Sequence, residues 1–314
     1  MERFLIDEAL ALLPESILRG RRASACTIGH PSEHPCTLRL TLVGDIDSLR
    51  LVVKRVSRIE YQTHSLLFRE LPHLVPGLLA TGKIKENDWL LVMEDSSTSE
   101  AEPVMDLTAM RSALRALAEV HCQFSNRKHR LRAAGLSTAG NNAREVGDQL
   151  GTVLDLLMTV KSLFDIALDE DRLRIAREVA LTLDLETVPL LKPSNQTLVH
   201  GDFHFENILR APTTGVRLTD WGSAAIQVPG WDLVMCSENE VEYYLSCTSR
   251  PDGFYRCLRA AVLYRMAEFI VTGTGLLFTS MERIADTISV CIERLVQTAA
   301  ATEFRGGQGV RFKK

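Results

Sequence analysis

The chain has 314 residues, 46% of them hydrophobic, with 36 basic and 40 acidic side chains and a net charge of −4. This length suits two lobes or one large α/β unit, and the apolar content is enough for a full core, which excludes a disordered chain. The acidic balance argues against a nucleic-acid partner and is compatible with a cationic substrate.

Seven cysteines form no Cys-x-x-Cys pair and leave an odd count. They read as reduced core thiols in a cytoplasmic protein, not as disulfides or a zinc site. The start, Met1 to Asp7, lacks a secretory pattern, and no apolar run reaches the ~18 residues that a membrane span needs. Residues 4–20 read as a short helix broken at Pro14, and β-type patterning begins at Ala23. After the run Cys26 to Pro35, Thr37–Val43 and Arg50–Lys54 predict two strands joined by a hairpin-like turn at Gly44 to Asp47. Alternation puts Lys54 on the face of Val52 and Arg55 on the other. Ser57 opens a helix that runs to about Leu71 and is stopped by Pro72 and Pro76. Ser57 and Glu60 have capping-box spacing, in which Glu60 would bond the backbone of Ser57. Leu78–Lys85 and Trp89–Met93 read as two more strands, ended by Glu94 to Ser97.

Asp106 is placed to cap a helix whose stripe is Leu107, Met110, Leu114, Leu117, His121 and Phe124. His121 lies on that apolar stripe and reads as a packed, hydrogen-bonded histidine. Val146–Val160 and Leu173–Leu183 are further amphipathic helices, separated by the acidic stretch Asp165 to Asp171. Glu238 and Glu242 stand four residues apart and repel unless something cationic compensates, either a basic neighbour or an amine-bearing substrate. Helices over 254–271 and 281–299 complete the chain, and Phe304 to Lys314 reads as a mobile end.

Chemistry concentrates between Leu198 and Trp221. Asn207 to Arg210 and Val216 to Asp220 are β-rich runs flanking the turn-prone Ala211-Pro212-Thr213-Thr214-Gly215, a hairpin signal. If Ile208 pairs near Thr219 and Arg210 near Arg217, Asn207 and Asp220 come side by side, about 5 Å apart, and both can grip one hard cation. Few oxygen ligands, with room for phosphate and water, suit magnesium bound with a nucleotide. Asp202, five residues before Asn207, is free to face a substrate. An Asp that takes a hydroxyl proton, an Asn five residues on and a second Asp after a hairpin is the order of parts in kinase phosphoryl transfer.

His200, Gly201, Asp202, His204 and Asn207, followed by Asp220, Trp221 and Gly222, resemble the catalytic loop and metal-binding motif of the aminoglycoside phosphotransferase and choline kinase superfamily. The pattern His-Gly-Asp-x-His-x-x-Asn separates that group from protein kinases, which carry Arg before the Asp. The resemblance implies an α+β, two-lobed protein-kinase-like fold. Residues 1–95 would form a small β-rich nucleotide lobe ending in a hinge, 96–303 a larger, mainly helical catalytic and substrate lobe, and 304–314 a tail.

It also implies roles. Asp202 would be the catalytic base, and Asn207 and Asp220 would hold Mg2+. Lys54 would hold the α- and β-phosphates of ATP or GTP, with Glu60 orienting it; Arg55 and Glu70 are the competitors for these two roles. The backbone of Met93, Glu94 and Asp95 would bind the purine edge. Ser32 would touch phosphate from a loop that has only Gly29 and two prolines, a departure from the family pattern that leaves an ordinary surface loop as the alternative. His200 and His204 would support the loop, and Asp232 would tether the following helix to it. The segment around Asp165 to Asp171 would shape the acceptor pocket or be a solvated face.

The expected activity is transfer of the γ-phosphoryl group to a hydroxyl on a small, possibly amine-bearing molecule, most simply an antibiotic of aminoglycoside or related type. A metabolic kinase of choline, homoserine or sugar type, nucleotidyl transfer, and a nucleotide-binding pseudokinase are the rivals. Neither membrane nor nucleic acid is expected as a partner, and a monomer or homodimer is.

Overall fold

A computed structural model describes residues 2–28, 37–96, 107–140, 142–160, 170–211, 215–249, 253–276 and 281–301. Ser32, Asp106, most of the 165–171 stretch and the 304–314 tail lie outside these described residues. In chain order the first elements are α1 (Glu2–Leu12), α2 (Glu15–Leu18), β1 (Arg22–Ile28), β2 (Thr37–Val43), β3 (Ser48–Ser57) and α3 (Arg58–Glu70). Next come β4 (Leu78–Lys83), β5 (Asp88–Glu94), α4 (Leu107–Phe124), α5 (Lys128–Ala133), α6 (Ala143–Val160) and α7 (Glu170–Glu186). The last part holds β6 (Thr197–Val199), β7 (Ile208–Ala211), β8 (Gly215–Leu218), β9 (Ala225–Gln227), α8 (Glu238–Ser246), α9 (Phe254–Leu276) and α10 (Met281–Ala300).

The chain divides into two compact units. One comprises Met1–Leu117, Arg132–Leu136 and Asp202–Ala224, and the other Ala118–Leu131, Ser137–Gly201 and Ala225–Lys314.

The first unit is built on an antiparallel sheet of order β1-β2-β3-β5-β4. Side chains alternate along a strand, so Leu38, Leu40 and Leu42 of β2 share one face. With Leu51 and Val53 of β3 and Leu90 and Val92 of β5, they bury against Leu5, Ala9 and Leu13, which recur every fourth residue along α1 and its end. The opposite face carries Val56, Leu91 and Met93, packed on Tyr61 of α3. Pro14 separates α1 from α2 by standing at the N-cap of α2, where no backbone N–H is needed. Ser57 caps α3, its hydroxyl accepting the N–H of Glu60 at 3.2 Å. Strand β3 is longer than its apolar run suggests because Ser48–Lys54 pair with β2 and Leu51–Ser57 with β5.

The hairpin β7–β8 belongs to the same unit, and its register differs by one residue from the expected one. Ile208 pairs with Leu218 and Arg210 with Val216. The sequence reading put Gly215 in the turn, whereas Gly215 is the first residue of β8, paired with Ala211. Ala211, also expected in the turn, is the last residue of β7, so the connection is shorter by two residues and every pair moves by one from the expected register.

The second unit is mainly helical. Helix α9 packs against α6, α7 and α10 and has Ala260, Ala261, Val262, Leu263, Met266, Ala267 and Ile270 buried, so it is apolar around most of its girth, as a central helix must be. Among its described side chains, helix α10 buries the apolar stripe Ile288, Cys291, Ile292 and Leu295, together with Arg294 and Thr298. Strands β6 and β9 pair antiparallel, Leu198 opposite Ile226. Of the described free cysteines, Cys236, Cys257 and Cys291 are buried, as core thiols should be, while Cys122 is exposed. Among the described residues no helix is long and apolar enough to cross a membrane.

Candidate active site

Lys54 lies late in β3, on the α3 side of the sheet. Its ammonium is 2.6 Å from Glu60 Oε1 and 3.1 Å from Asp220 Oδ1. The lysine and Glu60 side chains are nearly buried, whereas that of Asp220 is 49% exposed. Burial alone would lower the Lys54 ammonium, but the carboxylates of Glu60 and Asp220 outweigh it and hold its pKa above the ordinary value. Burial raises the Glu60 carboxyl, and the Lys54 ammonium offsets only part of that rise. Of the two partners open to Glu60 in the sequence, its carboxylate meets Lys54, while its N–H keeps the Ser57 cap. The competitors are elsewhere: Arg55 pairs with Asp88, and Glu70 lies beside Arg69.

Asp220 is one of two described non-glycine residues with positive φ, at φ 62° and ψ 60°. The left-handed region costs an ordinary side chain about 1–3 kcal/mol, and Asp is among the few that visit it. Because the backbone turns there, Asp220 leaves the β8 ladder. The residue paired with Asn207 is Thr219, whose N–H donates to Asn207 O at 3.0 Å. The bend, not cross-strand pairing, directs the Asp220 carboxylate.

Asp202, His204 and Asn207 form a second cluster in the same unit. The Asn207 side-chain Nδ2 donates to Asp202 O at 2.8 Å and lies 3.4 Å from Asp202 Oδ2. With its nitrogen so engaged, Asn207 has its carbonyl oxygen to offer a cation. The amide oxygen of Asn207 and the half-exposed carboxylate of Asp220 are each hard oxygen donors, of the chemistry that fits magnesium. Among the described residues no group of three or more His, Cys, Asp or Glu could hold a metal. An ion held by these two residues would rely on further oxygens, as a phosphate-bound ion does.

His204 Nε2 lies 3.4 Å from Asp202 Oδ2, and its Nδ1 accepts the N–H of Glu206 at 3.3 Å, starting a short 3-10 turn, Phe205–Asn207. The hydrogen bond to Asp202 raises the His204 pKa against a smaller effect of burial.

The end of β5 is fastened from two directions. Asp95, its side chain 2% exposed, pairs with Arg39 at 2.7 Å. Arg217 of β8 donates to Ser96 Oγ at 2.6 Å and reaches Glu94 at 3.4 Å. The N–H groups of Glu94 and Asp95 donate to Gly77 O and Arg50 O. Met93 is buried. Sequence reasoning missed Arg39 and Arg217; nothing local marks an arginine 56 residues from its partner Asp95.

In the second unit, Asp232 is fully buried and accepts the N–H of His200 at 2.7 Å and of Gly201 at 2.8 Å. Its Oδ2 also meets His121 Nε2 at 3.1 Å, while His121 Nδ1 meets the Tyr244 hydroxyl at 2.8 Å. Burial would raise the Asp232 carboxyl, but the hydrogen bonds from His121 and the His200 backbone hold it below its ordinary value. His121 is thus packed and bonded, as its place on the apolar stripe suggested. Glu242 accepts a hydrogen bond from Tyr255, a neutral partner in place of the expected cation.

A model of the phosphotransferase enzyme family matches residues 56–262, more than half of the chain. The chain belongs to that family. Solved structures similar to this phosphotransferase family member include a spectinomycin phosphotransferase, APH(9)-Ia, in complex with ADP and spectinomycin. It is 13% identical with a TM-score of 0.63, covering 96% of this chain and 98% of that one. A choline kinase, LicA, from Streptococcus pneumoniae is 15% identical, TM-score 0.57, covering 95% and 99%. The GDP complex of wild-type aminoglycoside 2'-phosphotransferase-IIIa is 17% identical, TM-score 0.53, covering 88% and 92%. No curated protein sequence matches. At these identities the likeness is one of fold, the two-lobed, protein-kinase-like α+β architecture that the motif resemblance implied.

Proposed function

We propose that this family member transfers the γ-phosphoryl group of ATP or GTP to a hydroxyl of a small molecule, with antibiotics of aminoglycoside or related type as the leading acceptors. The observation that carries this reading is the joining of Lys54, Glu60 and Asp220 in one cluster, in the same compact unit as Asp202 and Asn207. Asp202 orients the acceptor hydroxyl and takes its proton as the oxygen attacks phosphorus. Lys54, kept charged by Glu60, attracts the α- and β-phosphates, and Ser32 adds a phosphate contact. The backbone of Met93 to Asp95 would read the purine edge with groups other than the N–H of Glu94 and Asp95, which bond Gly77 O and Arg50 O. Asn207 and Asp220 would hold magnesium, which when bound neutralises phosphate charge. In this reading 1–95 serves the nucleotide and 96–303 the acceptor. The nucleotides and the spectinomycin named for similar structures support the donor and acceptor classes.

The choline kinase among the similar structures favours a second reading, a metabolic kinase with a smaller acceptor. One experiment separates them. A host expressing the chain is tested against an antibiotic panel while the purified protein is assayed for ATP and GTP consumption. A shift for one compound, with a product about 80 Da heavier, supports the first reading; a gain of about 329 Da means AMP was transferred instead. Consumption of nucleotide with a choline-, homoserine- or sugar-type acceptor and no shift on the panel supports the second. Nucleotide binding with no turnover on any acceptor or on water would refute both.

A further inference from the structure

Arg265, in the middle of α9, is a charge placed deep in the helical unit that the mechanism above does not use. Its guanidinium lies between two rings, with Cζ 5.2 Å from the centroid of Trp231 and 4.5 Å from that of Phe269. One Nη pairs with Glu268 and the other donates to Gly201 O at 3.1 Å. A planar guanidinium can stack on rings and aim two donors in fixed directions, which an ammonium cannot do. The target is specific, since Gly201 immediately precedes Asp202 in the chain.

The peptide just before that of the Gly201 carbonyl, on the other side of the Gly201 Cα, is held as well. Asp232 accepts the N–H of Gly201 at 2.8 Å and of His200 at 2.7 Å. Trp231, the neighbour of Asp232, supplies one of the rings that Arg265 lies against. Gly201 has φ +81°, a conformation that leaves its orientation to outside contacts. The support under this bracket is tight, because a Cβ at Gly230 would stand 2.8 Å from the Leu258 backbone of α9. The Arg265 Nε itself is buried without a partner among the described residues, as are the Nε atoms of Arg217 and Arg294.

We infer that Arg265 is a positioning residue for phosphoryl transfer: it fixes the Gly201 carbonyl, while Asp232 holds the N–H groups of His200 and Gly201 in the two preceding peptides, and so sets the direction in which the chain delivers Asp202. It acts through Asp202 and touches no reacting atom. The inference rests on the proposed role of Asp202, and its test has one part that does not.

That part is hydrogen–deuterium exchange over the segment 198–207 in the intact chain. Arg265→Met raises exchange there while exchange in α6 and α10 stays at wild-type levels; Arg265→Lys, which keeps the charge and folds more conservatively, gives a smaller rise. Unchanged exchange at 198–207 in both variants overturns the inference whatever the activity. The second part is a double-mutant cycle on nucleotide hydrolysis with water as acceptor, using ATP or GTP with magnesium. Arg265→Met lowers kcat about 10- to 100-fold with the nucleotide KM unchanged, the size of effect expected when a reacting group is displaced by up to ~1 Å. In the Asp202→Ala background the same substitution changes kcat by less than about 2-fold, since the residue it positions is gone. Equal losses in both backgrounds, or a loss confined to KM, would make Arg265 a stabilising residue only. Hydrolysis insensitive to Asp202→Ala counts against the proposed function, with the exchange data then deciding the positional claim alone.

Discussion

Replacing Lys54 by Met would remove the cation that contacts both Glu60 and Asp220. At an effective dielectric of about 20, charges at the observed 2.6 and 3.1 Å attract by about 6 and 5 kcal/mol before desolvation is counted. Those gross values do not survive as net stability. The Asp220 side chain is 49% exposed, so water screens its loss and it contributes little. Glu60 is different: its side chain is 8% exposed, and removing one partner of a buried pair costs about 3–5 kcal/mol because a charge is left behind. We therefore expect Lys54→Met to destabilise the first unit by about 3 kcal/mol at pH 8, the low end because Lys54 keeps some exposure.

The cost must depend on pH. Burial already raises the Glu60 pKa, and without the ammonium nothing opposes that burial or the nearby Asp220. A carboxyl whose folded pKa is raised contributes stability below its unfolded value, near 4.3, and loses it as pH rises through the folded value. The deficit of Lys54→Met thus shrinks as pH falls from 8 towards 5, as Glu60 takes up a proton. Adding Glu60→Gln removes the orphaned charge, and the double variant should return to within about 1 kcal/mol of wild type while nucleotide affinity stays lost. Denaturant midpoints at pH 8, 6.5 and 5, with calorimetric nucleotide titration, measure all three. A double variant less stable than Lys54→Met, or a deficit that grows towards pH 5, would show that Lys54 does not compensate Glu60.

Three other outcomes are expected. Asp202→Ala lowers turnover by at least ~10²-fold while nucleotide affinity by calorimetry holds, as fits a group that acts on the acceptor. Asp220→Ala abolishes the magnesium dependence of nucleotide binding, read by titration with and without a chelator; normal magnesium-dependent binding would contradict the assignment. His64 is 2% exposed, with Nε2 3.1 Å from Pro76 O, and burial lowers its pKa to about 4. A lowered histidine contributes stability above its unfolded value near 6.5 and loses it as pH falls towards 4, about 2 kcal/mol between pH 7 and 5. His64→Gln should remove that part of the acid sensitivity, seen as a smaller drop in denaturant midpoint over the same range.

Much of this molecule was legible along the chain. The strands β2, β3 and β5, the capped helix α3 and the apolar stripe bearing His121 follow from periods of two and 3.6 residues, which are local properties of backbone geometry. The spacing of Asp202, Asn207 and Asp220 raised the expectation of phosphoryl transfer, and the pairing of Lys54 with Glu60, which only the family resemblance favoured over a capping role for Glu60, is the contact seen at 2.6 Å. What depended on tertiary structure is of another kind. Ala211 and Gly215, both assigned to the turn, pair as strand residues and so shift the β7–β8 register, and the left-handed backbone at Asp220 accompanies the approach of its carboxylate to Lys54. The pairs Arg39–Asp95, Arg217–Ser96 and Arg265–Gly201 join residues 56, 121 and 64 positions apart. No periodicity encodes such contacts, because they depend on where packed cores carry the ends of each element, and a buried charge finds its partner only once those cores have formed.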